Sequence, residues 1–160
     1  MIKTSTVPMH EVPREENEGP YRPGVIVVDD ESNIADTLTE ILSRSGYAAV
    51  ATYDAESALE TALLKPPEIL VTDVMLPGMN GIDLAIQIRR IFPDCRIFLF
   101  SGQAATTDLL AAAGREGHEF VLLSKPVHPV DLLARLSEGR KPAQSQPVQS
   151  KIHSEELSAG

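Results

Sequence analysis

Four polar motifs stand directly after four apolar runs along the chain. Asp29 and Asp30 follow the first of these runs, and Asp73, Ser101 and Lys125 follow three later ones. An aspartate can act as a nucleophile toward phosphorus, while an ammonium and a hydroxyl can hold the oxygens of a phosphoryl group. These residue types predict phosphoryl chemistry with Asp73 as the acceptor and Ser101 and Lys125 as its partners, provided that the fold brings them together.

The acidic members of this set also predict a metal site. Carboxylates 4 Å apart repel one another by about 4 kcal/mol per pair at an effective dielectric near 20. This repulsion is large beside a domain stability of roughly 5 to 15 kcal/mol, so either a carboxylate is protonated or a cation lies among them. Because the set offers oxygen ligands and neither histidine nor cysteine, Mg²⁺ is the expected ion, bound among Asp29, Asp30 and Asp73.

The position of these residues depends on five predicted strands that alternate with five predicted helices. Apolar runs predict strands at 25–28, 48–52, 69–72, 96–100 and 120–123. Helical spacing of apolar residues predicts helices at 34–42, 55–63, 84–91, 106–115 and 130–136. This alternation favours a doubly wound α/β fold with a parallel sheet, and the lack of a GxGxxG turn favours the strand order 2-1-3-4-5. Strands 1 and 3 are then neighbours, and every motif lies at the carboxyl end of a strand, where such sheets bind ligands.

Charge and composition predict one acidic domain. The 160 residues carry a formal net charge of −9, and residues 24–138 hold 17 acidic against 8 basic side chains. We expect the folded domain at 24–138, between a flexible leader at 1–23 and a flexible tail at 139–160. An acidic domain without a basic cluster predicts no nucleic-acid partner, and no apolar stretch is long enough to predict a membrane span. The single Cys95 favours a reducing compartment, so we expect a cytoplasmic protein.

Taken together, the four motifs resemble the receiver domain of two-component response regulators. They read VIVVDDE (25–31), VTDVMLPGMNG (71–81), FSG (100–102) and SKP (124–126). The resemblance covers about residues 24–138 and implies a flavodoxin-like, three-layer sandwich, with the strand order already known for a chemotaxis receiver. It also implies a phosphoprotein of a phosphorelay, which takes its phosphoryl group from a sensor histidine kinase or a histidine phosphotransfer protein.

Residue by residue, the resemblance implies that Asp73 is phosphorylated and that Ser101 and Lys125 contact the phosphoryl oxygens. The implied Mg²⁺ ligands are Asp29, Asp30, Asp73 and the main-chain carbonyl of Met75. In the family the Lys-Pro peptide is usually cis, which would direct Lys125 inward.

The sequence departs from the family at one position of the switch. Receivers often carry Tyr or Phe three residues before the lysine, where the ring reports phosphorylation to the face formed by helix 4, strand 5 and helix 5. Here that residue is Leu122. The hydroxyl half of the switch remains as Ser101, and Phe120, two residues earlier on the same strand face, is a candidate substitute for the ring.

Three functions follow from these patterns. The leading hypothesis is a stand-alone receiver, not a conventional enzyme, that transfers phosphate to and from Asp73 with Mg²⁺ and acts on an unidentified downstream protein. The second is an interaction module that signals without phosphorylation, as Leu122 suggests. The third is an aspartyl-phosphate phosphatase, which is disfavoured because such enzymes carry DxD on strand 1, where this chain reads DDES. Simpler alternatives are that residues 29–31 only cap a helix and that Ser101 is only a turn residue.

Overall fold

The structure of the chain, a computed structural model, describes residues 19–102, 106–118 and 120–138. Its strands are β1 (Gly24–Val28), β2 (Ala48–Thr52), β3 (Ile69–Asp73), β4 (Arg96–Ser101) and β5 (Val121–Ser124). Its helices are α1 (Ser32–Arg44), α2 (Ala55–Leu64), α3 (Gly81–Ile91), α4 (Thr106–Arg115) and α5 (Pro129–Ser137). Each strand is followed by a helix, which confirms the predicted alternation.

The five strands form one parallel sheet in the order β2-β1-β3-β4-β5. This order confirms the predicted doubly wound, flavodoxin-like architecture. Residues 25–28 are all buried because β1 lies inside the sheet and is covered by helices on both faces. A strand in that position is apolar throughout rather than at alternate residues.

Two apolar clusters, one on each face of the sheet, hold the helices. Successive residues of β1 point to opposite faces. Val25 and Val27 belong to the cluster that includes residues of α1 and α5, whereas Ile26 and Val28 belong to the cluster that includes residues of α2, α3 and α4. The fold is therefore the expected three-layer sandwich.

Several element boundaries differ from the prediction by one to three residues, and the starts of α3 and β5 are the most informative. The side chain of Asn80 caps α3 by accepting hydrogen bonds from the amides of Ile82 and Asp83, at 2.9 and 2.8 Å. Helix α3 consequently begins at Gly81 rather than at residue 84, because apolar spacing marks the buried positions and not the polar first turn. Strand β5 begins at Val121 rather than at Phe120.

Most of the predicted leader and all of the predicted tail lie outside the described residues. The described part of the leader contacts the domain: Arg22 donates a 2.7 Å hydrogen bond to the carbonyl of Ser43, and Pro23 accepts one of 2.9 Å from Ala48. Among the helices that the structure describes, none is both long enough and apolar enough to cross a membrane.

Candidate functional site

The fold brings the predicted site residues to one edge of the sheet. Asp29 follows β1, Asp73 ends β3, Ser101 ends β4 and Lys125 follows β5. In the strand register, Asp73 is paired with Phe100, the residue before Ser101, and Ser101 is paired with Ser124, the residue before Lys125. The four polar motifs are therefore neighbours, although they are spread over nearly a hundred residues of sequence.

Three carboxylates form an acidic cluster at this edge. Asp29, Asp30 and Asp73 each offer an oxygen that lies within 4.8 Å of the others. Asp29 is 1% exposed and Asp73 is 7% exposed, whereas Asp30 is open to solvent. Two of the three charges are therefore held where water solvates them poorly, so a nearby cation would stabilise them.

Lys125 supplies one compensating charge. Its Nζ donates a 2.8 Å hydrogen bond to Asp73 Oδ2 and lies 3.5 Å from Asp29 Oδ2. Burial alone would lower the pKa of Lys125, but the hydrogen bond to Asp73 and the charges of Asp73 and Asp29 outweigh it, so the net pKa is raised. The side chain is thus held as an ammonium between two carboxylates, and the Lys125–Pro126 peptide is cis, as the resemblance implies.

Asp29 remains incompletely compensated. Its Oδ1 accepts a 2.9 Å hydrogen bond from the amide of Glu31, but its buried Oδ2 has no hydrogen bond and only the 3.5 Å ion-pair contact with Lys125. Burial raises the pKa of Asp29, and the Glu31 amide and Lys125 offset this only in part. A buried oxygen without a hydrogen bond beside two further carboxylates fits the donor set of a hard divalent cation such as Mg²⁺.

The main chain around Asp73 is held more firmly than the sequence indicates. Asp73 Oδ1 accepts a 3.2 Å hydrogen bond from the amide of Met75, and the Asp73 carbonyl accepts one of 3.0 Å from the Thr72 hydroxyl. The amide of Val74 donates to the carbonyl of Phe100 at 2.9 Å, which extends the pairing of β3 with β4. Thr72 was missed by our sequence analysis, and its only signal is a polar residue within an otherwise apolar strand.

The residues of the predicted switch lie at different points along β4 and β5. Leu122 is paired with Leu99 of β4 and is 45% exposed. Phe120 precedes the strand, where the Arg89 guanidinium lies 5.1 Å from its ring centre and the His118 ring stacks at 6.1 Å. Ser101 ends β4 beside Ser124, the last residue of β5, and its carbonyl accepts a 2.9 Å hydrogen bond from the amide of Lys125. The roles of Ser101, Leu122 and Phe120 in switching stay predictions.

A 2-1-3-4-5 sheet that carries an acidic pocket and a paired lysine at its carboxyl edge defines the receiver class of signalling proteins. A family model described as the response regulator receiver domain matches residues 25–137. The match spans most of the chain, which therefore belongs to the response regulator receiver domain family. Receiver domains are signalling switches of two-component systems rather than conventional enzymes.

Solved structures agree with this assignment. The signal receiver domain of an HD domain-containing protein from Pseudomonas fluorescens is 29% identical, with a TM-score of 0.66, over 72% of this chain and 92% of that chain. A response regulator receiver domain protein from Clostridium thermocellum is 26% identical, with a TM-score of 0.61, over 69% of this chain and 87% of that chain. The BeF3-activated receiver domain of DrrB is 25% identical, with a TM-score of 0.62, over 72% and 95% of the two chains.

Proposed function

We propose that the chain is a phosphoacceptor switch of a two-component phosphorelay, phosphorylated on Asp73. The observation that carries this proposal is the position of the Asp73 carboxylate, which is buried, hydrogen-bonded to Lys125 and gathered with Asp29 and Asp30. An ion pair with Lys125 needs only one carboxylate. The hydrogen bond from the Glu31 amide to Asp29 Oδ1 accounts neither for the buried Asp29 Oδ2 nor for Asp30. A site for a cation and a phosphoryl group explains all four residues.

The donor is a phosphohistidine on a sensor histidine kinase or a histidine phosphotransfer protein. A carboxylate oxygen of Asp73 attacks phosphorus, the P–N bond breaks, and its electron pair returns to the imidazole nitrogen of the donor. Lys125 already touches Asp73 Oδ2, so its ammonium needs little movement to pair with the new phosphoryl oxygens. We assign Ser101, at the end of the adjacent strand, to the same oxygens. Positioning and charge neutralisation supply the catalysis, and no general base is required.

Asp29, Asp30 and Asp73 would hold Mg²⁺, together with the main-chain carbonyl of Met75. Bound there, the ion would neutralise charge on the transferring phosphoryl group and orient its oxygens. Asp29 would contribute the buried oxygen that lacks a hydrogen bond, and Asp30 would contribute an exposed carboxylate.

Phosphorylation would be read by a downstream protein partner at the face formed by α4, β5 and α5. Exposed apolar side chains lie on all three elements: Leu109, Val121, Leu122 and Val130. The net charge of −9 favours a protein over a nucleic acid as the partner at this face.

The test is phosphorylation of the full chain with acetyl phosphate and Mg²⁺, followed by intact mass measurement. Wild type should gain the mass of one phosphoryl group, and Asp73→Asn should gain none. Asp94→Asn is the matched control, because Asp94 is an exposed aspartate that lies outside the acidic cluster. Equal labelling of wild type and Asp73→Asn would exclude Asp73 as the acceptor.

A second candidate is an interaction module on the same fold that works without phosphorylation. The exposed Leu122, at the position where receivers often carry an aromatic ring, favours it. This function predicts equal affinity of a partner for the beryllofluoride-bound and the free protein, since a ligand shifts only states that it binds unequally. Calorimetry on an identified partner separates the two functions, because a switch requires unequal affinities.

A further inference from the structure

Gly81 starts α3 directly against the main chain of Asp73. A β-carbon built on Gly81 would lie 1.9 Å from the Asp73 carbonyl oxygen and 2.8 Å from its carbonyl carbon. Nonbonded carbon atoms pack best at about 3.5 to 4 Å, so no larger residue fits unless the backbone moves. Glycine is the residue that permits such a close approach of two main chains.

The peptide that Gly81 touches is fastened from several directions. The Thr72 hydroxyl donates to the Asp73 carbonyl at 3.0 Å, and the Gly81 amide donates to the Val74 carbonyl at 2.9 Å. On the side of β4, the amide of Val74 donates to the carbonyl of Phe100 at 2.9 Å. The end of β3 is thus held by its own strand, by the neighbouring strand and by the start of α3.

We propose that Gly81 is a positioning residue for Asp73, an inference that rests on the phosphoacceptor function proposed above. The missing side chain lets α3 hold the Asp73 peptide, so that Oδ2 stays 2.8 Å from Lys125 Nζ. A methyl group at residue 81 would force α3 and the end of β3 apart by more than about 1 Å. A displacement of this size at a reacting group lowers rates by roughly 100-fold.

The first readout is the initial rate of phosphorylation by acetyl phosphate with Mg²⁺, corrected for the folded fraction. Gly81→Ala is expected to react roughly 100-fold more slowly than wild type. Gly114→Ala is the matched control, because Gly114 is also a helical glycine but has open space around its β-carbon, and it should react like wild type. A corrected Gly81→Ala rate equal to that of wild type would overturn the proposal.

The second readout requires no phosphorylation. The coupling between Asp73 and Lys125 is measured from the unfolding of Asp73→Asn, Lys125→Met and the double variant, each with and without Gly81→Ala. Displacement of Asp73 should make the coupling measurably smaller in the Gly81→Ala background, and an unchanged coupling would contradict the positioning role. If wild type takes no phosphoryl group, the proposed function fails, and this coupling alone decides the role of Gly81.

A third variant covers the case in which Gly81→Ala does not fold. Thr72→Val keeps the shape of the side chain and removes the hydroxyl that bonds the same carbonyl. It should react several-fold more slowly and show a smaller coupling between Asp73 and Lys125. Wild-type values of both quantities would overturn the proposal that anchoring of the Asp73 peptide sets the chemistry.

Discussion

The two halves of the sheet differ in how firmly they are packed. All five residues of β3, which carries Asp73, are buried, whereas only Leu123 of the four residues in β5 is buried. Among the described residues of the neighbouring helix α4, Ala113 is the one buried side chain. Regions with few buried contacts open at lower free energy than the core. The central strands that hold the acids, β1 and β3, are thus the rigid half of this contrast, and the α4–β5 side (residues 106–118 and 120–124) is the half that can move at low cost.

The largest effect is expected for two leucines that are paired across neighbouring strands. Leu99 of β4 is fully buried, and its partner Leu122 of β5 is 45% exposed. Leu99→Ala should lower the free energy of unfolding by about 2 to 5 kcal/mol through loss of burial and a cavity. Leu122→Ala should lower it by less than about 1 kcal/mol. Urea denaturation of both variants provides the measurement, and similar losses would remove the contrast.

Arg96 fastens the end of α5 to β4, so α5 does not belong to the α4–β5 side. From the start of β4, its guanidinium donates to the carbonyls at the end of α5: Arg135, Leu136 and Glu138, at 3.3, 2.9 and 2.6 Å. Arg96→Met should cost about 1 to 2 kcal/mol and speed amide exchange in the last turn of α5. Arg90→Met, at an exposed arginine in the last turn of α3, is the control. Unchanged exchange in α5 would mean that α5 is held by packing alone.

Asp29→Asn tests whether the rigid half carries uncompensated charge. Burial raises the pKa of Asp29, so the folded protein holds this proton more readily than the unfolded chain does. The resulting loss of stability is absent below the unfolded pKa, grows as pH rises between the two pKa values and is complete above the folded pKa.

In metal-free buffer at pH 7, Asp29→Asn is therefore expected to raise the free energy of unfolding by about 1 kcal/mol, or roughly 4 °C in the thermal midpoint. The gain should disappear below about pH 4. Thermal unfolding in EDTA across this pH range gives the measurement, with Asp94→Asn as the exposed control. A destabilised Asp29→Asn at pH 7 would show that Lys125 already compensates the charge.

The smallest expected effect concerns the missing aromatic ring. Leu122→Tyr should change the free energy of unfolding by no more than about 0.5 kcal/mol, because the position is exposed. It should nevertheless enlarge the change in amide exchange of β5 when beryllofluoride binds, if an aromatic ring couples the site to this side. Val50→Tyr, at an exposed position of the opposite edge strand, is the control. The same exchange in Leu122→Tyr and wild type would show that coupling does not depend on the ring.

The strand pattern could be predicted because it follows from local sequence, and the gathering of the acids could be predicted from the parallel order of those strands. Apolar runs located β2 at its observed bounds, and the parallel order placed the ends of β1 and β3 side by side. The predicted start of β5 at Phe120 is wrong by one residue, since Phe120 is as apolar as the strand and only its contacts with Arg89 and His118 set it apart. Predicted boundaries are wrong where tertiary contacts, rather than residue type, determine the backbone conformation.

Contacts made by main-chain groups of distant residues could not be predicted. Arg96 binds carbonyls about forty residues away, and a main-chain carbonyl leaves no trace in the sequence. Gly81 lies in the motif VTDVMLPGMNG (71–81), but its contact with the Asp73 peptide depends on how α3 docks on β3. The site chemistry is thus visible in residue types, whereas the means that hold it in place are visible only in three dimensions.

Binding of Mg²⁺ at the proposed site, beside the buried Asp29 oxygen without a hydrogen bond, would make folding and cation binding linked equilibria. An ion that binds only the folded state adds about 2.7 kcal/mol of stability at a hundredfold excess over its dissociation constant. For a domain of this size, that gain corresponds to a rise of roughly 10 °C in the midpoint of unfolding. The melting temperature of the unmodified protein would then serve as a gauge of free Mg²⁺, and its titration would give the affinity of the site before any donor or partner is known.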